Sequence, residues 1–259
     1  MPAPNAPARG LQDHLVRALG WNATILHGDP TVVDRWRWLR RHLRAGPLRT
    51  LDAGCGSGAF TMYAAMQGNR ALGIADNERD IDKACRRAEL LGVSGVDFVA
   101  GDLRRLDEFG ESLGAFDQVL LFECIEHILN DDKLVADLAA RMKPGATILL
   151  TTPYRDHRPL FGERTTEVED GGHVRFGYTH DEVAALFERH GIEVVAREYI
   201  GGLVAQKLAS MQFALCRVNP YVAWAATFPF RVFHPLDGPL TRLTRYPHLS
   251  IGVVGRKRG

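Results

Sequence analysis

The 259-residue chain predicts an α/β fold: a mostly parallel sheet covered by helices on both faces. Three observations carry that expectation. From Arg49 to Tyr199, short apolar runs alternate with amphipathic stretches of helical length. The runs are apolar on both faces, as strands buried under two helical layers must be. Finally, the decapeptide LDAGCGSGAF, Leu51 to Phe60, joins the first run to a helix through a glycine turn. Glycine accepts the backbone angles of a sharp strand-to-helix turn, and without a Cβ it lets a ligand touch the main chain. The N–H groups of the helix start then face that ligand.

The elements follow in order. MPAPNAPARG is rich in Pro and Ala and has no apolar core, so it reads as a disordered leader, neither signal peptide nor membrane anchor. LQDHLVRAL is a first helix, and WNATILHGDP a loop carrying Trp21 and His27. TVVDRWRWLRRHLR is a second helix, stopped by Gly46-Pro47. RTLDAG, RALGIAD, VDFVAGD, FDQVLLFE and ATILLTTP are five successive strands, with KPG a turn before the fifth. The helices between them are TMYAAMQ, ERDIDKACRRAELLG and DKLVADLAARM. Residues Tyr154 to Gly177 form a polar loop, and Thr179-His-Asp-Glu182 is a capping box that opens the next helix. IEVVAREYI is a sixth strand and LSIGVVGRK a seventh, separated by an apolar helix and an aromatic-rich stretch, AWAATFPFRVFHPL.

Composition bounds the function. Net charge is +1, which gives no general case for nucleic acid. The ends are nevertheless basic: residues 1–49 carry eight Lys/Arg against three Asp/Glu, and residues 203–259 carry eight against one. Such ends suit solvated helix faces, an anionic substrate or a membrane surface. The four cysteines form no CxxC pair, which argues for a reducing cytoplasm and against a disulfide scaffold or zinc site. No apolar run reaches the roughly 20 residues of a membrane span.

The glycine turn alone is ambiguous, because Gly54, Gly56 and Ala59 also satisfy a dinucleotide pattern and Asp76 lies where a ribose-binding acid would. Four further features narrow the choice. Asp52 ends the first strand, where it can accept from an ammonium group or its waters. Asp76 ends the second and is placed for ribose hydroxyls. Asp102 and Leu103 end the third, able to accept from an adenine amino group and donate to the ring. FDQVLLFECIEH is the fourth strand with its exit, and KPGATILLTTP follows the next helix. No Tyr-x-x-x-Lys pair and no second substrate domain support a nicotinamide enzyme.

LDAGCGSG, GIAD, AGDL, ECIEH and MKPGATILLTTP together resemble the class I S-adenosylmethionine-dependent methyltransferases, especially small-molecule members. The resemblance covers about Arg49 to Tyr199 and the last strand. It implies a Rossmann-like three-layer sandwich with seven strands in the order 3-2-1-4-5-7-6, the seventh antiparallel. It implies S-adenosyl-L-methionine as donor, S-adenosyl-L-homocysteine as product and no metal, with Asp52, Gly54, Cys55, Gly56, Gly58, Asp76, Asn77, Asp102, Leu103 and Glu123 around the cofactor. On the acceptor side His127 is the candidate base, since histidine titrates near neutral pH. Its alternative is an ordinary loop-ordering role. His173, Tyr178, Tyr154 and Trp21 are candidate acceptor contacts. The organisation expected is a leader and helical cap over 1–46 and a methyltransferase domain over 47–259. Within that domain, 201–247 is a helical insertion that roofs the acceptor pocket, forms a homodimer face or touches a membrane peripherally. The activity expected is O-methylation of a small molecule in the cytoplasm. C- or N-methylation, a non-catalytic binding protein and an NAD(P) oxidoreductase remain alternatives.

Overall fold

A computed structural model describes residues 11–26, 29–110, 113–161 and 164–259; the expected leader and His27 lie outside them. The strands are β1 (Arg49–Ala53), β2 (Arg70–Ala75), β3 (Val96–Ala100), β4 (Phe116–Phe122), β5 (Met142–Pro153), β6 (Ile192–Ile200) and β7 (Ser250–Lys257). They form one sheet in the expected order, β3-β2-β1-β4-β5-β7-β6, with β7 antiparallel to both neighbours. In β4, Val119, Leu120 and Leu121 are all fully buried, so both faces of the strand are covered. That explains its continuous apolar run.

Four crossover helices cover the sheet: α4 (Ala59–Met66), α5 (Glu78–Leu91), α6 (Asp131–Arg141) and α7 (His180–Arg189). Thr179 and Glu182 make the full capping box at the start of α7. Outside them lie α1 (Leu11–Leu19), α2 (Asn22–Leu26) and α3 (Val32–His42) at the N-terminal end. Between β6 and β7 come α8 (Leu203–Cys216), α9 (Pro220–Thr227), a 3₁₀ segment Phe228–Leu236 and α10 (Asp237–Thr244). Helix α3 belongs to the core: Trp38 is 1% exposed, and a Cβ at Gly252 of β7 would stand 2.5 Å from its ring. Only glycine lets that indole lie flat on the strand.

Two local expectations change, and one unassigned stretch is filled. KPG continues β5, with the register slipping between Phe116 and Gln118 where the extra residues are absorbed. The loop after α1 contains α2, because Thr24 donates to the Trp21 carbonyl at 2.7 Å and Ile25 is buried. Leu103–Phe109, which the sequence left unassigned, is a 3₁₀ segment capped by Asp102.

The site follows from topology. From β1 the chain runs outward to β2 and β3, then returns to β4 on the other side. The carboxyl ends of β1 and β4 therefore diverge, and a crevice opens above them.

Candidate active site

Most of the residues expected around the cofactor lie along that crevice. Gly54, Gly56, Ala75, Asp76, Gly101, Asp102, Leu103, Glu123 and His127 line a groove of about 400 Å³. A Cβ at Gly56 would meet nothing within 4 Å, so its main chain is open to a ligand. Asp76 is exposed at the end of β2, while Asn77 beside it caps α5 by accepting from the Arg79 N–H at 3.0 Å. Asp102 accepts a fork from Arg104 at 2.7–2.9 Å, which holds its carboxyl below the usual range. Behind the glycine turn, Asp52, Cys55, Phe60 and Glu123 line a second hollow of about 410 Å³. Asp52 is 2% exposed and accepts from the Thr61 hydroxyl at 2.6 Å. Burial raises its pKa to about 6 despite that bond. Cys55 lies beside it with its thiol pushed up by burial. Gly58 begins α4 with φ 77° and does not line these hollows; a Cβ there would meet the Phe98 ring at 2.6 Å.

The exit of β4 gathers several titratable side chains. Glu123 sits at φ 46°, a left-handed conformation uncommon for a residue with a side chain. The turn it makes carries Cys124, Ile125, Glu126 and His127 under the polar loop after β5. Glu126 is fully buried, and burial together with neighbouring Glu123 raises its pKa well above the usual carboxylate range. Thr152 donates to one of its oxygens at 3.1 Å. The other oxygen, and one of Glu123, lack a hydrogen-bond partner among the described residues. His127 Nδ1 lies 3.0 Å from the Gly172 carbonyl. A carbonyl only accepts, so Nδ1 carries the proton there and the neutral ring keeps its lone pair on Nε2. Burial lowers the His127 pKa, which favours that neutral form. The His173 ring packs edge-on at 4.6 Å. Glu126, His127 and His173 bring ligand-type atoms within 4.8 Å of one another, a grouping with room for a cation although the sequence leads one to expect none.

A cavity of about 620 Å³ opens on the other side of Glu123 and His127. Its lining adds Glu126 and His173, Asp29 and Arg35 from the N-terminal cap, Ala209 and Phe213 of α8, and Arg217 just past its end. Helix α8 clasps the polar loop: Gln206 accepts from the Arg158 N–H at 2.8 Å and Ser210 from the Leu160 N–H at 3.0 Å. The insertion also meets the N-terminal cap, where Arg231 donates to the Leu26 carbonyl at 2.8 Å and His234 pairs with Asp34 at 2.7 Å.

Of the four residues nominated as acceptor contacts, only His173 lines this cavity. Trp21 is buried against Trp36 and Tyr63 and donates to the Ala59 carbonyl at 2.8 Å. Tyr154 packs on Tyr199 and donates to Asp156 at 2.9 Å. Tyr178 is buried and donates to Asp131 at 2.6 Å, facing a separate groove. Aromatic residues near a site in sequence are equally good core formers, and here packing claims them.

Sequence reasoning missed three groups. Glu126 was read only as part of ECIEH. Arg35 lines both the acceptor cavity and the hollow behind the glycine turn. Glu169 accepts from Arg104 at 2.8 Å and from the Leu129 N–H at 2.6 Å, fastening the polar loop to the donor groove. The motif ECIEH flagged Glu126; for Arg35 and Glu169 no local pattern existed.

Comparisons with known proteins agree with this fold. Residues 30–197 match the family described as methyltransferase domain. The ubiquinone biosynthesis O-methyltransferase of Agrobacterium fabrum is 37% identical over 105 residues, 40% of each chain. That of Methylocella silvestris is 36% identical over 105 residues, again 40% of each. The chain thus spans about 40% of the length of these curated relatives. Among solved structures, the [4+2]-cyclase SpnF superposes with a TM-score of 0.60 at 18% identity, over 88% of this chain and 82% of that one. A putative S-adenosylmethionine-dependent methyltransferase from Listeria monocytogenes gives 0.59 at 14%, over 88% and 99%. At such identities these likenesses concern the fold alone.

Proposed function

The chain belongs to the methyltransferase domain family, and on that premise we propose that it moves a methyl group from S-adenosylmethionine to a hydroxyl oxygen of a small-molecule acceptor. One observation carries the reading. Glu123 and His127 line both the donor groove and the larger cavity, so the two spaces meet at a histidine whose free nitrogen can take a proton. The O-methyltransferases named above support oxygen as the acceptor atom.

The donor residues fit the cofactor chemically. Gly56 offers open main chain, Asp76 an exposed carboxylate at a strand end, and Glu123 a buried oxygen still to be satisfied. Asp52, Gly54, Cys55, Asp102 and Leu103 complete the set, with Gly58 and Asn77 shaping the helix starts beside it. When bound, S-adenosylmethionine supplies a sulfonium-activated methyl group. The protein's own task is then alignment, a contribution of ~7–11 kcal/mol when geometry is good. With the donor held there, its sulfonium would release the methyl group and keep the carbon–sulfur electron pair, while His127 Nε2 would take the proton of the acceptor hydroxyl. Such base assistance contributes typically ~10²–10⁴-fold. His173 orients the acceptor beside His127, and α8 with the N-terminal cap excludes water from above. All four cysteines are free, which supports a reducing, cytoplasmic setting.

Calorimetry with S-adenosylhomocysteine, followed by transfer of labelled methyl groups to a panel of phenols, amines and carbon acids, tests the reading. Binding plus labelled methyl ether is expected. Binding of NAD(H) in place of S-adenosylhomocysteine overturns it, and labelled amine or carbon products reassign the acceptor atom.

A further inference from the structure

We propose that the segment between β6 and β7 seats this protein on the surface of an anionic lipid bilayer, with the mouth of the acceptor cavity at the seat. Ten large apolar side chains between Phe213 and Leu243 stand exposed, Val218 and Leu243 at 82% and Val232 at 71%. In Phe228–Leu236 the threefold period puts Phe230, Phe233 and Leu236 on one face, and the rings of Phe230 and Phe233 lie 6.5 Å apart. None of the residues of that segment is buried. An apolar surface of this kind marks a place where something docks.

Charge selects what docks. Residues 201–249 carry five Lys/Arg and a single acid, Asp237. That acid is buried, accepting from the N–H groups of Gly202 and Val204, each at 2.7 Å, at the start of α8. The outward surface of the segment therefore presents Arg217, Arg242 and Arg245 among apolar groups, while its one carboxylate is turned inward. Two copies meeting through this face would set like charges together. A bilayer bearing anionic lipid satisfies both features, since apolar side chains enter the headgroup boundary and the cations meet phosphates. Among the described residues no helix is long and apolar enough to cross the membrane, so the contact lies on the surface.

The same helix reaches the cavity. Ala209, Phe213 and Ala214 of α8 line it together with Arg217 at its C-cap, and Phe213 is 62% exposed, which places it at the rim. The opposite wall is polar, with Glu123, Glu126, His127 and His173. An acceptor with a hydroxylated head and an apolar tail fits this polarity: head inward, tail toward the bilayer. That last step rests on the O-methylation reading; the docking does not.

The test is sedimentation of the full chain with phosphatidylcholine vesicles, with and without phosphatidylglycerol. Binding is expected only with phosphatidylglycerol and should weaken with salt. Phe230→Glu/Phe233→Glu and Arg242→Glu/Arg245→Glu should each lower partitioning about tenfold or more. Neither pair lines a cavity described above, so S-adenosylhomocysteine affinity should stay unchanged and confirm folding. Equal binding to both vesicle types, or retained binding in both variants, overturns the proposal. So does a concentration-dependent dimer abolished by Phe230→Glu/Phe233→Glu, which would give the face to a second copy. Failure of the unaltered chain to bind S-adenosylhomocysteine would sink the methyl-transfer reading and leave docking standing.

Discussion

Replacing Asp52 by Asn should stabilise the protein while weakening its hold on the donor. Asp52 is fully buried, and its pKa rises from 3.8 to about 6. The folded state thus binds the proton more tightly than the unfolded chain. For a raised carboxylate the sign is unfavourable to folding: stability falls as pH climbs from the unfolded to the folded value, then stays at the lower level. At 1.36 kcal/mol per pH unit the full penalty is about 3 kcal/mol by pH 7.5, shrinking to about 1 kcal/mol at pH 4.5. Asparagine is nearly isosteric and can still accept from Thr61, so it removes the charge and keeps the bond. Urea unfolding at the two pH values should show the variant ahead by about 3 kcal/mol at pH 7.5 and by some 2 kcal/mol less at pH 4.5. Calorimetry should show S-adenosylhomocysteine bound at least about tenfold more weakly, the trade expected where a site keeps a costly group for function. A variant no more stable than wild type at pH 7.5, or one whose advantage does not shrink in acid, would refute the reasoning.

Three other outcomes follow from the geometry. His127→Ala should cut turnover about 10²–10³-fold with S-adenosylhomocysteine affinity unchanged, measured by labelled methyl transfer and calorimetry; full activity would return His127 to a loop-ordering role. Asp76→Ala, at an exposed position, should weaken S-adenosylhomocysteine about tenfold and leave the thermal midpoint within a degree or so, because surface changes cost little stability. His234→Asn tests the clasp between insertion and cap. Its bond to Asp34 raises the His234 pKa above 6.5. The stabilisation is therefore full below pH 6.5 and fades as pH rises through the folded value. Wild type should lead the variant by about 1–2 kcal/mol at pH 6 in urea unfolding, and the lead should vanish by pH 9.

The sheet and the groove at its strand ends were legible in the sequence because they are local. A strand, a glycine turn and a helix start are consecutive, so LDAGCGSG, GIAD and AGDL each announce one strand end. The antiparallel last strand and the order of all seven followed from the resemblance these motifs carry, and the sheet has that order. The acceptor side is built the opposite way, from contacts between distant parts of the chain. Arg231 reaches the Leu26 carbonyl across 205 positions and Arg104 reaches Glu169 across 65. No local pattern encodes such meetings, so Arg35 and Glu169 were invisible and Trp21, Tyr154 and Tyr178 were expected where packing did not put them. Tertiary structure also decided chemistry that residue type leaves open. Burial, which is a property of the surroundings, raises the pKa of Asp52 and Glu126 and lowers that of His127, whose Nδ1 faces the Gly172 carbonyl. The sequence by itself determined the frame and its glycine turn, because both arise from neighbours along the chain; the cavity beside His127, walled by α8 and the N-terminal helices, exists only once remote segments meet.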